Sequence, residues 1–180
     1  MSDAIEKPAR KVPRKVTSAY LQRAAMAYLE RYAASAEQLR RVLTHKVANR
    51  CRLRGEDAAE FRDAIDEVVA KSLRVGLVDD ARYAQGRVAS LRRRGGSARA
   101  IQAKLSLKGV DRQTIAAALD GHDGDDEEAA VAFARRRRLG PYRPGERLPY
   151  RDKDLAAMAR AGFGFGIAKR IVDAPGEDEP

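Results

Sequence analysis

Arginine is the residue type with the most chemistry to offer in this chain, and it occurs in two runs. Arg92, Arg93 and Arg94 precede a pair of glycines, and Arg135 to Arg138 form the second run. Guanidinium groups donate paired hydrogen bonds to phosphates and carboxylates, and glycine lets backbone amides approach such an anion. For the first run, phosphate binding and a solvated helix end stabilised by the helix dipole stand as equal alternatives. For the second run we favour contact with DNA or an acidic partner, because four adjacent arginines point to all sides of a helix.

The carboxylates give weaker indications of chemistry than the arginines do. Asp79 and Asp80 are adjacent, but an N-terminal cap of a new helix explains them better than acid–base or metal chemistry. The acidic run 123–128 lacks the spacing of a calcium loop and is typical of a helix start. No nucleotide-binding loop and no Ser–His–Asp arrangement is present, so we expect a protein that is not an enzyme and has no cofactor. The possible zinc ligands are too few and too scattered to form a site, namely His45, Cys51 and His122.

Composition favours a basic helical protein made of small units. The 180 residues include 36 Lys and Arg against 26 Asp and Glu, which gives a formal charge of +10 and indicates a polyanionic or acidic partner. Aromatic residues make up 6 % and Trp is absent, so one large core is not expected. The sequence shows neither an apolar run of membrane-spanning length nor a secretory signal pattern. With a single cysteine, these features predict a cytoplasmic protein.

Apolar residues recur at helical spacing between two polar ends. We expect residues 1–16 to form a disordered basic arm and residues 175–180 to form a loose acidic tail. The first three helices are predicted from Ser18 to Tyr32, from a cap at Ser35, and from a cap near Asp57, with Gly76 as the stop. Their core positions follow the helical period: Tyr20, Leu21, Ala24, Ala25, Tyr28, Leu29, Tyr32, Leu39, Val42, Leu43, Val47, Phe61, Ile65, Val68, Val69 and Leu73.

The same pattern of capped short helices then recurs twice. Caps at Asp79 or Asp80, at Ser97 and at Asp111 begin the helices of the second round. Helices from about 127–138, 152–161 and 164–173 make the third round. The spacing predicts an all-α protein, an elongated and curved array of three tandem three-helix repeats, because one short unit cannot bury its own apolar faces. The expected repeats span residues 17–76, 77–121 and 122–174.

The middle of the chain resembles a known family. The stretch from Gly76 to Ala84, followed by Arg94-Gly95, Ile101, Leu105, Lys108-Gly109-Val110 and Ile115, is similar to the core of the bacterial RecX regulatory proteins. The similarity extends to Tyr28–Arg31, Ser35 and residues 37–43 in the first repeat, and to Arg160–Phe163, Ile167 and Ile171 in the third. It covers roughly residues 18–173. The chain departs from the family pattern in its basic arm, at 45–51 in place of a Lys-Gly turn, and in an insertion at 139–149.

This resemblance implies a regulator that binds RecA recombinase filaments on DNA and restrains their recombinase activity and ATP hydrolysis. The expected partners are the RecA filament and, weakly and without sequence specificity, DNA, with no membrane partner and a monomeric state. An alternative is a stand-alone DNA-binding protein that uses the helix from Ala98 to Lys108 as a recognition helix, although Gln102 and Lys104 give it little with which to read bases. The candidate DNA or filament contacts are Arg92, Arg93, Arg94, Arg99, Lys104, Lys108, Arg135, Arg136, Arg137 and Arg138.

Overall fold

The computed structural model describes residues 12–175. Within them the chain forms nine α-helices and three short 3-10 helices and contains no β-strand, which confirms the predicted all-α class. No helix in this part of the chain combines the length and the apolar character needed to cross a bilayer. The chain divides into two compact units, one through Val78 and the other from Asp79. Residues 1–11 of the predicted arm and 176–180 of the predicted tail lie outside the described residues.

The first unit contains three α-helices, of which the first two begin at a side-chain cap and the third follows a capped 3-10 turn. They are α1 (Ser18–Leu29), α2 (Ala36–Arg54) and α3 (Arg62–Arg74), with a 3-10 turn at Ala58–Phe61 before α3. The side chains of Thr17 and Ser35 accept hydrogen bonds from backbone amides in the first turns of α1 and α2, at 3.1 Å each. Asp57 does the same for the 3-10 turn at 2.9 Å. These side chains satisfy amides that a helix start otherwise leaves without a partner.

The core of the first unit lies where the three helices meet. Leu21, Leu39 and Leu43 are completely buried there, as the helical period predicts. Each such leucine contributes roughly 1.5–3 kcal/mol by leaving water. Two predicted core residues are instead exposed. Tyr32 lies beyond the end of α1 with its ring centroid 5.2 Å from that of Tyr28, and Leu73 lies on the outer side of the last turn of α3.

The end of the predicted arm is packed against α2. Val16 is buried in the core of the first unit. Arg50 and Arg54 of α2 donate hydrogen bonds to the carbonyls of Arg14 and Pro13, at 2.8 Å each. These hydrogen bonds join residues 36 and 41 positions apart, so periodicity along one helix carries no sign of them.

The second unit contains the other six α-helices. They are α4 (Asp80–Arg93), α5 (Ala98–Leu107), α6 (Arg112–Asp120), α7 (Asp126–Arg137), α8 (Arg151–Arg160) and α9 (Phe165–Val172). Asp79, rather than Asp80, caps α4 by accepting the Arg82 amide at 3.0 Å. Ser97, Asp111 and Asp125 cap the three helices that follow. The acidic run before α7 therefore begins a helix, as expected from the sequence.

Two apolar clusters form the core of the second unit. Val88, Ile101, Leu105 and Ile115 anchor the one shared by α4, α5 and α6. The other lies between α7, α8 and α9 and includes Met158, which is fully buried. Grouping the nine helices into three equivalent repeats remains a prediction.

The insertion before α8 is held by one buried carboxylate. Asp154 is 2 % exposed and accepts hydrogen bonds from the Gly140 amide (2.8 Å) and from two nitrogens of Arg143. This pairing raises the pKa of the Arg143 guanidinium. Short 3-10 turns at Gly140–Tyr142 and Leu148–Tyr150 lie on either side of the tip of the insertion. The inserted residues are therefore fixed at their base to the core formed by α7, α8 and α9.

Arg138 ends α7 in a conformation that favours glycine. Its φ is +54°, and it is the single non-glycine residue with positive φ among residues 12–175. Its amide and that of Leu139 donate to carbonyls of the last turn, which is the usual way for a left-handed residue to close a helix. A side chain in this region is strained by close approach of its Cβ to the backbone.

We therefore expect Arg138→Gly to stabilise the protein by about 0.5–1 kcal/mol, because strain relief outweighs the added freedom of the unfolded chain. Urea unfolding followed by circular dichroism would show a higher midpoint at an unchanged slope. Arg137→Gly is the matched control. It removes the same charge one residue earlier, inside α7, and should destabilise by up to about 1 kcal/mol. Equal effects of the two variants would contradict this account of Arg138.

Candidate functional site

The turn between α4 and α5 lies directly against α7. A Cβ atom added to Gly95 would lie 2.5 Å from the amide nitrogen of Phe133 and 2.8 Å from the carbonyl oxygen of Ala129. Because Gly95 also has a φ of +71°, both its conformation and its surroundings require glycine. This close approach places the arginines at the end of α4 beside the helix that carries Arg135 to Arg137.

Arg92, the first of the candidate contacts, takes part in an internal ion pair. Its side chain is 8 % exposed and donates to the carboxylate of Asp126 in the first turn of α7. The same oxygen of Asp126 accepts the amide of Ala98, the first residue of α5, at 2.7 Å. One carboxylate thus joins the end of α4, the start of α5 and the start of α7. We call this arrangement, in which the Asp126 carboxylate binds Arg92 and the Ala98 amide, the joint. Because Arg92 is part of it, Arg92 is not available to bind an external anion.

Ser97 completes the joint on the other side. It is fully buried and accepts the Ala100 amide at 3.2 Å, which caps α5. Its hydroxyl also donates to the carbonyl of Ala161, at the end of α8, at 2.7 Å. Gly162 makes this approach possible, since a Cβ there would lie 2.6 Å from the Ser97 oxygen. The start of α5 is therefore enclosed by α7 and the α8–α9 turn.

The other candidate cations are exposed. Arg93, Arg94, Arg99 and Lys104 have no carboxylate within 4 Å among residues 12–175. Lys108 is also exposed, one residue before the glycine that ends the α5 segment. Surface guanidinium groups that form no internal ion pair stay fully available to an anion, since no carboxylate has to be displaced.

The second run of arginines is exposed at the end of α7. The guanidinium carbon of Arg135 lies 5.2 Å from the ring centroid of Tyr142, and that of Arg136 lies 5.8 Å from the ring centroid of Phe133. Arg136, Arg137 and Arg138 have no carboxylate within 4 Å in the described part of the chain. We name the exposed cations of both runs, of α5 and of its C-cap the basic surface: Arg93, Arg94, Arg99, Lys104, Lys108, Arg135, Arg136, Arg137 and Arg138.

Several neighbouring arginines are engaged in ion pairs. Arg151 makes two hydrogen bonds to Asp173, at 2.6 and 2.7 Å, and lowers the pKa of that carboxyl group. Arg170 makes two to Glu127, at 3.1 and 2.8 Å, with the same effect on the pKa of Glu127. Together with the pairing of Arg143, these ion pairs remove three cations from those that an external anion could use.

Residues 12–175 contain no metal-binding cluster, and the cysteine of the chain is buried. Among residues 12–175, no three His, Cys, Asp or Glu side chains cluster in a way that could hold a metal ion. Cys51 is buried in the first core, where loss of hydration raises the pKa of its thiol and disfavours the reactive thiolate. The arrangement provides charge and shape for binding a partner.

Sequence reasoning misses the acceptors that organise this region. The acidic run marks Asp126 only as part of a helix start, and nothing in the motif analysis singles out Asp154. Asp126 lies 34 residues from Arg92, and no local pattern joins the two. The buried position of Asp154 has one sequence signal, its place three residues before the apolar Ala157-Met158 pair of α8.

We expect Asp126→Ala to destabilise the second unit by about 2–4 kcal/mol, because the nearly buried Arg92 loses its anion and α5 loses an acceptor. Thermal unfolding would record the change. Asp123→Ala is the matched control, since this exposed carboxylate in the same acidic run should have little effect. Adding Arg92→Leu to Asp126→Ala should cost less than the sum of the two single changes, because the uncompensated charge is gone. Strict additivity would contradict a direct pairing.

Comparison with known proteins agrees with this architecture. Residues 79–119, which hold α4, α5 and most of α6, match a family model described as RecX, second three-helix domain. Over 168 residues the chain is 46 % identical to "Regulatory protein RecX" of Myxococcus xanthus, covering 91 % of this chain and 90 % of that protein. It is 39 % identical over 138 residues to the protein of that name from Thermobifida fusca, at 73 % of each chain, and 35 % identical over 173 residues to that of Stenotrophomonas maltophilia, at 96 % of each.

Proposed function

Because this chain belongs to the RecX family of regulatory proteins, we propose that it binds RecA-type recombinase filaments on DNA and inhibits their ATPase and recombinase activity. The similarity to the Myxococcus xanthus protein extends over 91 % of the chain, so it includes residues of both units. The name of the relatives, "Regulatory protein RecX", refers to regulation and mentions no catalysed reaction. The proposal accordingly gives this protein no chemistry of its own.

The observation that carries the proposal is that some arginines form internal ion pairs whereas others are exposed to solvent. Arg92, Arg143, Arg151 and Arg170 pair with internal carboxylates. Seven exposed cations of the basic surface instead have no carboxylate within 4 Å among residues 12–175, namely Arg93, Arg94, Arg99, Lys104, Arg136, Arg137 and Arg138. A nucleoprotein filament presents phosphates and acidic side chains together, and an exposed cationic surface complements both. The joint at Asp126 holds the α4 end of this surface in place, which lowers the entropy cost of docking.

The packing of α5 argues against the alternative of a helix-turn-helix reader. Such proteins insert the N-terminal residues of the recognition helix into the major groove. Here Ser97 is fully buried and the Ala98 amide donates to Asp126, so the cap and the first amide of α5 face other helices of the unit. Arg99 in the first turn, Lys104 in the last turn and Lys108 just after the helix are exposed, and they suit binding to a phosphate backbone, which does not depend on sequence.

We expect weak DNA binding that falls steeply as salt rises. Replacing Arg136 and Arg137 by Ala should lower the slope of log K against log salt on duplex DNA by about 0.9 for each phosphate that these side chains neutralise. Fluorescence anisotropy with a labelled duplex at several salt concentrations measures the slope. The matched control replaces Arg62 and Arg74, two exposed arginines of the first unit, by Ala. Equal slopes for the two double variants would mean that the α7 arginines are merely solvated.

We also expect the protein to inhibit ATP hydrolysis by recombinase on single-stranded DNA and to hydrolyse no ATP itself. Replacing Arg93 and Arg94 by Glu should raise the concentration needed for half-inhibition by about tenfold or more, because the new carboxylates repel the anionic partner that the arginines attract. Arg62→Glu with Arg74→Glu makes the same charge change in the first unit and should have a smaller effect. Helicity by circular dichroism should be unchanged in both. Unaffected ATP turnover at saturating unmodified protein would reject the proposed function.

A further inference from the structure

Phe165 is an aromatic side chain that the core of the second unit does not use. It begins α9 and is 71 % exposed, whereas Phe163, two residues earlier, is buried beside Phe133. Among residues 12–175, the Phe165 ring lies against no other ring and no cation, unlike the rings of Tyr142 and Tyr150. Single exposed apolar residues are ordinary on protein surfaces. The surroundings of this ring are what single it out.

Glycines on both sides keep the ring accessible. A Cβ added to Gly164 would meet nothing within 4 Å, and one added to Gly166 would meet only a terminal nitrogen of Arg170 at 3.8 Å. A planar group can therefore approach the ring without a clash from either neighbour along the chain. This openness fits a flat ligand that covers the face of the ring.

Cations surround the same turn. Lys169 is exposed four residues after Phe165, and residues at that spacing lie on the same face of a helix. Arg160 is exposed at the end of α8, and Arg99 of α5 approaches the turn, with its Cβ 3.4 Å from where a Gly162 Cβ would lie. None of these three has a carboxylate within 4 Å in residues 12–175. An open ring among unpaired cations is the combination with which proteins bind unpaired bases and their phosphates.

We propose that Phe165 stacks on an unpaired base of a single-stranded nucleic acid whose phosphates lie beside Arg99, Arg160 and Lys169. This inference rests on the DNA binding within the proposed function and names the strand form and the ring that contacts it. An apolar pocket on a protein partner would also accept a phenyl ring. The three unpaired cations favour the nucleic acid, because a strand carries a phosphate beside every base, whereas a protein pocket would need acidic residues placed around its rim to use the same cations.

The test uses a labelled dT 20-mer and an abasic 20-mer of equal charge, both without recombinase. Phe165→Ala should weaken binding of the dT 20-mer by roughly 5- to 100-fold, since stacking on a side chain contributes to the binding of each stacked base. Binding of the abasic strand should not change, and the salt slope should be the same for both proteins because every phosphate keeps its cation. Leu107→Ala is the matched control, as Leu107 is 72 % exposed and aliphatic.

A second variant gives a direct optical readout. The chain contains no Trp, so Phe165→Trp places a single indole at the site. Its emission should be quenched by the dT 20-mer and not by the abasic strand. The inference would be overturned if Phe165→Ala bound the dT 20-mer as tightly as the unmodified protein, or if the emission of Phe165→Trp did not change when the dT 20-mer was added. Failure of the unmodified protein to bind the dT 20-mer at low salt would also overturn it. Loss of ATPase inhibition with intact dT binding would assign the ring to a protein partner and leave the proposed function standing.

Discussion

The arrangement of the second unit depends on one carboxylate, that of Asp126. It accepts the guanidinium of Arg92 from the end of α4 and the first amide of α5, while it lies in the first turn of α7. Negative charge is favourable at a helix start, and here one group serves its own helix and the start of another. The pair is almost removed from water on the arginine side, so separating its members leaves an uncompensated charge. The turn that carries Arg93 and Arg94 keeps its position because this joint holds.

The joint also illustrates the two roles of arginine in this protein, which are internal ion pairing and exposure to solvent. Arginines that meet a carboxylate from another element hold the two elements together: Arg92 and Arg170 join helices, and Arg143 joins the insertion to α8. Exposed arginines that meet no carboxylate among residues 12–175, such as Arg93, Arg94 and Arg136, belong to the basic surface. In the second unit these ion pairs occupy acidic residues, and such cations remain exposed to solvent.

Contacts between residues close together in the sequence can be predicted from it, whereas contacts between residues far apart in the sequence cannot. The predicted caps at Ser35, Asp79 and Ser97 are confirmed, because a cap and its amide lie within three residues. Helix class and most core leucines follow from the 3.6-residue period. The pairing of Arg92 with Asp126 joins two helices, so the pattern Arg92–Arg94 gives no sign that its first member is buried. In the segment 162–166, the structure buries Phe163 beside Phe133 of α7 and leaves Phe165 exposed.

The anchoring of the insertion has a practical consequence. Asp154 fixes its beginning through Gly140 and Arg143, and Arg147 donates to the carbonyl of Ala174 at 3.2 Å near its end. Between these anchors, residues 144–146 are exposed, and a Cβ added to Gly145 would meet nothing within 4 Å. Exposed tips of this kind accept added residues without disturbing the core beneath them. A fluorophore or an affinity peptide introduced at 144–146 would therefore move with the helices of the second unit and report their position on a bound assembly.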